Sequence, residues 1–120
     1  MKANARAAIA YIAVRLVTGR NAGNIFDYAQ SKHIPIAGMV GNATVRVFDY
    51  ERGFHISGSG NGRTFSLFDY GEGSHVTLTI HGHQFQGFDY GSGSHFNGQV
   101  SGGSVWLFDY QKGEYFNYSI

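Results

Sequence analysis

The tripeptide Phe-Asp-Tyr occurs five times in this chain of 120 residues, beginning at Phe26, Phe48, Phe68, Phe88 and Phe108, with spacings of 22, 20, 20 and 20. Chance does not produce that regularity. A unit of about twenty residues, too small to bury its own apolar face, stabilises itself only against neighbouring copies. The repeat therefore constrains the architecture before any propensity argument.

Two turns punctuate each unit. After the tyrosine come Glu51-Arg52-Gly53, Gly71-Glu72-Gly73, Gly91-Ser92-Gly93 and Gln111-Lys112-Gly113. A glycine three residues past the tyrosine suits a turn that ends in a left-handed residue. Ser31 takes that place in the first copy and makes its turn the least regular. The second turn falls at Gly41-Asn42, Asn61-Gly62, His81-Gly82 and Ser101-Gly102. Gly and Asn there supply the positive φ of a tight hairpin. Both turns join antiparallel strands, so the chain reads as a meander.

Between the turns the side chains alternate with period two, as strands require. Val45, Val47, Phe65, Leu67, Val76, Leu78, Ile80, Phe96, Val100, Val105, Leu107, Phe116, Tyr118 and Ile120 fall on one face. Arg46, Ser66, Thr77, Thr79, Asn97, Gln99, Asn117 and Ser119 fall on the other. Each apolar side chain that becomes fully buried contributes roughly 1.5–3 kcal/mol. A cooperative domain without metal or disulfide is within reach.

Residues 3–18 follow another rule. Ile9, Ile12, Ala13 and Leu16 recur at helical spacing, alanine is abundant, and Gly19 supplies a stop. The expectation is one mainly β domain, with an amphipathic helix at 1–20 and about five β-hairpin repeats at 21–120. The helix is expected to cover an open end or face of the sheet. Two global shapes satisfy the pattern. An antiparallel meander closes as a barrel or sandwich, or each unit is one coil of a β-solenoid with a helical cap. The hairpin chemistry favours the meander.

Alternation also sorts the motif. Phe68 and Tyr70 fall opposite Phe65 and Leu67, and the other full repeats behave alike. Six residues past each aspartate stands His33, His55, His75 or His95, replaced by Tyr115 in the last copy. The candidate binding surface is therefore Tyr50, Tyr70, Tyr90 and Tyr110 with His55, His75 and His95. Such a row suits stacking on sugar rings, contact with a protein partner or self-association into a homo-oligomer. The competing structural role is cross-strand packing that pins register. Five of the eight acids are the motif aspartates, placed at strand ends where a carboxylate accepts turn N–H groups.

Chemistry is harder to place. There is no cysteine, no serine stands in a nucleophile-elbow context, and catalytic sites are seldom copied four times in one small chain. The protein is read as a non-enzyme without cofactor. His81 and His83 flank Gly82, but acidic or thiolate ligands are missing nearby, so no metal is expected. Lys2, Arg6, Arg15 and Arg20 give residues 1–26 a charge of +4, while the remainder carries −3. The β region lacks the basic stripe of a nucleic-acid binder, and no nucleic-acid partner is expected. The basic helix supports an alternative role, an adaptor that docks to a partner or an anionic membrane surface, although membrane association is not the favoured reading. Lys2 and Arg6 ahead of Ala7–Val14 imitate a signal peptide, but Arg15 ends that run after eight residues. The segment is read as part of the mature protein, and the lack of cysteine favours a reducing, cytoplasmic setting.

The rhythm of Asp49-Tyr50-Glu51-Arg52-Gly53 and its copies is similar to tyrosine-aspartate (Rhs-type) repeats, with the glycine one residue later than in that pattern. The twenty-residue period, aromatic strand and turn glycine over residues 24–120 also resemble cell-wall choline-binding repeats. Trp106 is the only tryptophan, so that family's aromatic cage has no counterpart. Both resemblances imply a binding or encapsulating scaffold, and neither assigns a functional residue.

Overall fold

The computed structural model describes all 120 residues. Helix α1 (Ala3–Thr18) precedes ten strands: β1 (Asn24–Asp27), β2 (Lys32–Val40), β3 (Thr44–Asp49), β4 (Phe54–Gly60), β5 (Thr64–Asp69), β6 (Ser74–His81), β7 (Gln84–Asp89), β8 (Ser94–Ser101), β9 (Ser104–Asp109) and β10 (Glu114–Ser119). Every strand pairs antiparallel with its neighbours in the chain, and β1 pairs with β10 to close a barrel. The meander expected from the turns is the observed fold in its barrel form, and the solenoid and sandwich alternatives are excluded by this pairing. Closure leaves no free sheet edge.

The longer first spacing has a structural meaning. Asp49 pairs with Ile36, nine residues past Asp27, whereas Asp69 pairs with Ile56, only seven past Asp49. The two extra residues lie in β2, the longest strand. The closing pair, Asp27 with Tyr118, again spans nine residues from Asp109. Both register offsets flank the first unit.

The turns are as regular as the motif. In four copies the aspartate carbonyl accepts the N–H of Gly53, Gly73, Gly93 or Gly113 at 2.7–2.8 Å, and these glycines have φ of 67–77°. Ser31 occupies the same left-handed region at φ 53°, the only non-glycine residue with positive φ. A Cβ in that region costs about 1–2 kcal/mol. Ser31→Gly is therefore expected to stabilise the protein by about 0.5–1 kcal/mol, after allowing for the added flexibility of the unfolded chain. A urea midpoint that falls on this substitution contradicts the assignment. At the opposite end, the two-residue turns sit one residue later than the spacing predicts. His81 pairs with Gln84 and Ser101 with Ser104, so the central residues are Gly82-His83 and Gly102-Gly103.

The helix departs from expectation most. Every residue from Ala5 to Val14 is buried, and α1 runs through the barrel lumen instead of covering an end. Apart from Arg6, whose charge meets Asp109, the span from Ala5 to Val14 is apolar around its whole circumference, and such a helix belongs inside a core. Ala5, Ala7, Ala8, Ala10 and Ala13 keep it slender enough for the space ten strands enclose. Ile9, Tyr11, Ile12 and Val14 fill the gaps against Ile25, Ile34, Ile36, Val47, Ile56, Leu67, Leu78 and Leu107. Gly19 ends the helix at φ 70°, its N–H returning to the Arg15 carbonyl.

The inward face of β7 and β8 has its own packing device. Gly87 faces Phe96 and Gly98 faces Phe85 across the pair. A Cβ at either glycine would overlap that ring and the backbone carbonyl of the next strand, Thr77 or Trp106. Each ring covers the glycine of the other strand, a cross-strand complement that only glycine permits.

Candidate functional site

The aspartates and aromatics of the motif part company at the sheet. Asp27, Asp49, Asp69, Asp89 and Asp109 all point inward and are buried. Each Oδ1 accepts the backbone N–H two residues on, at 2.9–3.0 Å. The turn-fixing role expected for these carboxylates is therefore the one observed.

The five carboxylates ring the barrel end that receives the helix N-terminus, where the helix dipole is positive. Four of them have further partners. Arg52 donates to Asp49 at 2.7 Å and to Asp69 at 3.1 Å. Burial pulls the Arg52 pKa down, but the Asp49 hydrogen bond and the charges of Asp69 and Asp49 more than offset it. Gln30 Nε2 donates to Asp27 at 2.7 Å. The Met1 amine and Arg6 Nη1 each reach Asp109 at 3.1 Å. Asp89 meets no cation. Arg6 also stacks over Phe116, 3.4 Å from the ring centroid, and donates to the Tyr118 hydroxyl. Burial pushes the Tyr118 hydroxyl well above its ordinary pKa, against the opposing pull of Arg6.

Outside, the aromatic residues form a collar at the same end. In every copy the motif phenylalanine is half-buried and carries the motif tyrosine edge-on, with centroids 4.8–4.9 Å apart and interplanar angles of 69–79°. Its other edge meets His33, His55, His75 or His95 at 4.7–4.9 Å, or Tyr115 at 4.7 Å in the last copy. Phe48–His55, Phe68–His75 and Phe88–His95 are direct cross-strand pairs. Tyr50, Tyr70, Tyr90 and Tyr110 remain 56–61% exposed. His75 and His95 are exposed, and His55 is half-buried.

These seven residues thus lie on the outer face, as the alternation expected, and the same geometry extends beyond them. The first copy contributes a full trio of Tyr28, Phe26 and His33, and Tyr115 completes the fifth. Successive trios are also linked by backbone: Tyr70 N–H donates to the His55 carbonyl, Tyr90 to His75 and Tyr110 to His95. The Tyr28 N–H reaches the Asn117 carbonyl across the closing seam.

Grooves lie between the trios. One of about 730 Å³ is walled by Phe88, His95 and Tyr110 and floored by Thr77, Gln86 and Asn97. Asn97 Oδ1 is buried there without a hydrogen-bond partner. No Lys, Arg, Asp or Glu lines this groove. Arg46 enters the corresponding grooves beside His55.

The motif carboxylates point inward and the histidines outward, so the sheet separates the two sets. No three His, Asp or Glu side chains converge as metal ligands, and His81 faces the Arg63 guanidinium at 3.0 Å. No helix is long and apolar enough to cross a membrane. Compared with known protein families, curated proteins and solved structures, the chain matches none, so its resemblance to the two hairpin arrays stays one of rhythm.

Proposed function

We propose that this protein is a non-enzymatic binding module that engages its ligand or partner through the aromatic collar. The observation that carries the proposal is the repetition of one exposed tyrosine, held edge-on by a half-buried phenylalanine, in all five units. Rings fixed before binding lose little side-chain entropy when a ligand arrives. Large exposed aromatic patches are uncommon on proteins that bind nothing. A glycan is the better fit of the candidate ligands. Its C–H faces match the rings, and its hydroxyls match Thr77, Gln86 and Asn97 on the groove floor. Self-association through the same rings is the second reading, favoured by the copying of the patch around the barrel.

The basic helix is a weaker candidate for docking. Arg6 is tied to Asp109 and Arg15 to the Gly38 carbonyl, and the segment between them would have to leave the lumen. Tyr70→Ala combined with Tyr90→Ala tests the collar. Both rings are on the surface, so thermal stability is expected to change by only about 1–2 kcal/mol, chiefly from the lost edge-to-face pairs. On a glycan array, binding is expected to fall at least tenfold in the double variant. An empty array, with a concentration-dependent oligomer that dissociates in the variant, selects assembly instead. A variant that behaves as the parent in both assays removes the proposal.

A further inference from the structure

The collar does not account for a second outward feature, a row of side chains one step along the barrel. Gln84 pairs with Gln99, Gln99 with Trp106, and Trp106 with Asn117. The Asn117 carbonyl takes the Tyr28 N–H, which carries the row across the seam. Five side chains, four from β7 to β10 and one from the residue that follows β1, thus lie side by side. With neighbouring strands about 4.8 Å apart, the row measures roughly 20 Å. From Gln99 to its Tyr28 end the row forms a groove of about 420 Å³, lined by Tyr28, Gln99, Ser104, Trp106 and Asn117.

We infer that this row binds a neutral linear oligosaccharide lying across the strands, with Trp106 as the principal stacking platform. The inference rests on the glycan reading of the collar and names its ligand class and its main subsite. Three observations carry it. The row holds three primary amides, which donate and accept, as pairs of vicinal hydroxyls require. Its five side chains include no Lys, Arg, Asp or Glu; the one cation nearby, Arg63, lies beyond Gln84 against His81 at 3.0 Å, so an anionic ligand would meet a positive charge only at that end. Trp106 is half-buried and meets Tyr115 at 5.3 Å and 69°. That contact ties the only indole to Phe108 and the collar. The length calls for several sugar units. The arrangement occurs once, because β3 presents Arg46, opposite Ser57, on the far side of the barrel.

Trp106 is the only tryptophan, so its emission reports the site directly. The experiment titrates the full chain with cellohexaose, laminarihexaose, chitohexaose and, as an anionic control, hexagalacturonate. A saturable change in Trp106 emission is expected with at least one neutral hexaose and none with the control. By calorimetry, Gln99→Ala and Trp106→Ala are expected to weaken that hexaose at least tenfold, and Ser59→Ala, at an exposed position of β4 away from the row and the collar grooves, to leave it unchanged. Gln99 is exposed, which keeps the test valid should Trp106→Ala disturb folding. Calorimetric binding of a hexaose with unmoved emission, and unaltered affinity in Gln99→Ala, overturns the row and leaves the collar standing. Failure of every neutral hexaose to bind at millimolar concentration also overturns it, and the tyrosine variants then judge the collar with a protein partner. Emission that follows protein concentration alone, without sugar, assigns the row to contact between copies and overturns the inference as well.

Discussion

Removal of residues 1–20 is expected to abolish the cooperative unfolding transition of the protein. In most small barrels, side chains projecting from the strands fill the interior. Here a helix does much of that work. Residues Ala7, Ala8, Ala10, Tyr11, Ile12, Ala13 and Val14 are wholly inaccessible to solvent, and the strand side chains around them are packed against the helix. Without it, Ile25, Ile36, Ile56, Leu67 and Leu78 would line a helix-sized void. A cavity costs about 24 cal/mol per Å³ beyond the lost transfer energy, and a void of helix dimensions exceeds any small domain's net stability. The truncated chain is expected to lose its thermal transition and bind ANS. Adding residues 1–20 as a separate peptide is expected to restore the transition and abolish ANS binding. A truncated protein that keeps its β spectrum and melts within a few degrees of the parent shows that the strands fill the lumen alone. That outcome would also free the helix for the adaptor role.

The same segment marks the boundary of what the sequence could convey. Period-two alternation made the inner and outer faces readable for Val45, Phe65, Leu67, Val76, Val105 and Leu107, and with them the outward position of Tyr50, Tyr70, Tyr90 and Tyr110. Local turn chemistry made the meander readable, because Gly53, Gly73, Gly93 and Gly113 can hold a left-handed turn where most residues strain. Closure was less accessible. It depends on the register offsets around the first unit, and only the spacing of 22 before Phe48 hinted at one of them. The helix misleads for a physical reason. Ile9, Ile12, Ala13 and Leu16 describe an apolar stripe, yet the decisive property is the small volume of the alanines on the remaining sides. The row from Gln84 to Tyr28 has no sequence signature at all. Its members lie 15, 7 and 11 residues apart up to Asn117 and then cross the seam, so strand register alone assembles them.

Asp109→Ala is expected to cost about 3–5 kcal/mol, and Asp89→Ala only about 1–2 kcal/mol, although both residues belong to the same tripeptide and cap the same turn. In each copy the carboxylate fixes its turn through the N–H two residues on, at 3.0 Å for both Gly91 and Gln111. That shared bond sets the smaller cost. Asp109 additionally faces Arg6 and the Met1 amine, whose side chains are 6% and 2% exposed. Removing the carboxylate leaves two buried cations without an ion-pair partner, beside a helix N-terminus that is itself positive. Stranding a charge costs more than the intact pair contributes, because the desolvation is no longer compensated. Equilibrium urea denaturation of the two variants, with the slope held to the parent's, provides the comparison. Double replacement of Arg6 by Met and Asp109 by Ala is expected to recover part of the loss, since one stranded cation is then gone. Equal costs at Asp89 and Asp109 would mean that the aspartates serve only their turns and that the buried ion pair contributes nothing to seating the helix. Retention of most of the stability in Asp109→Ala would carry the same meaning.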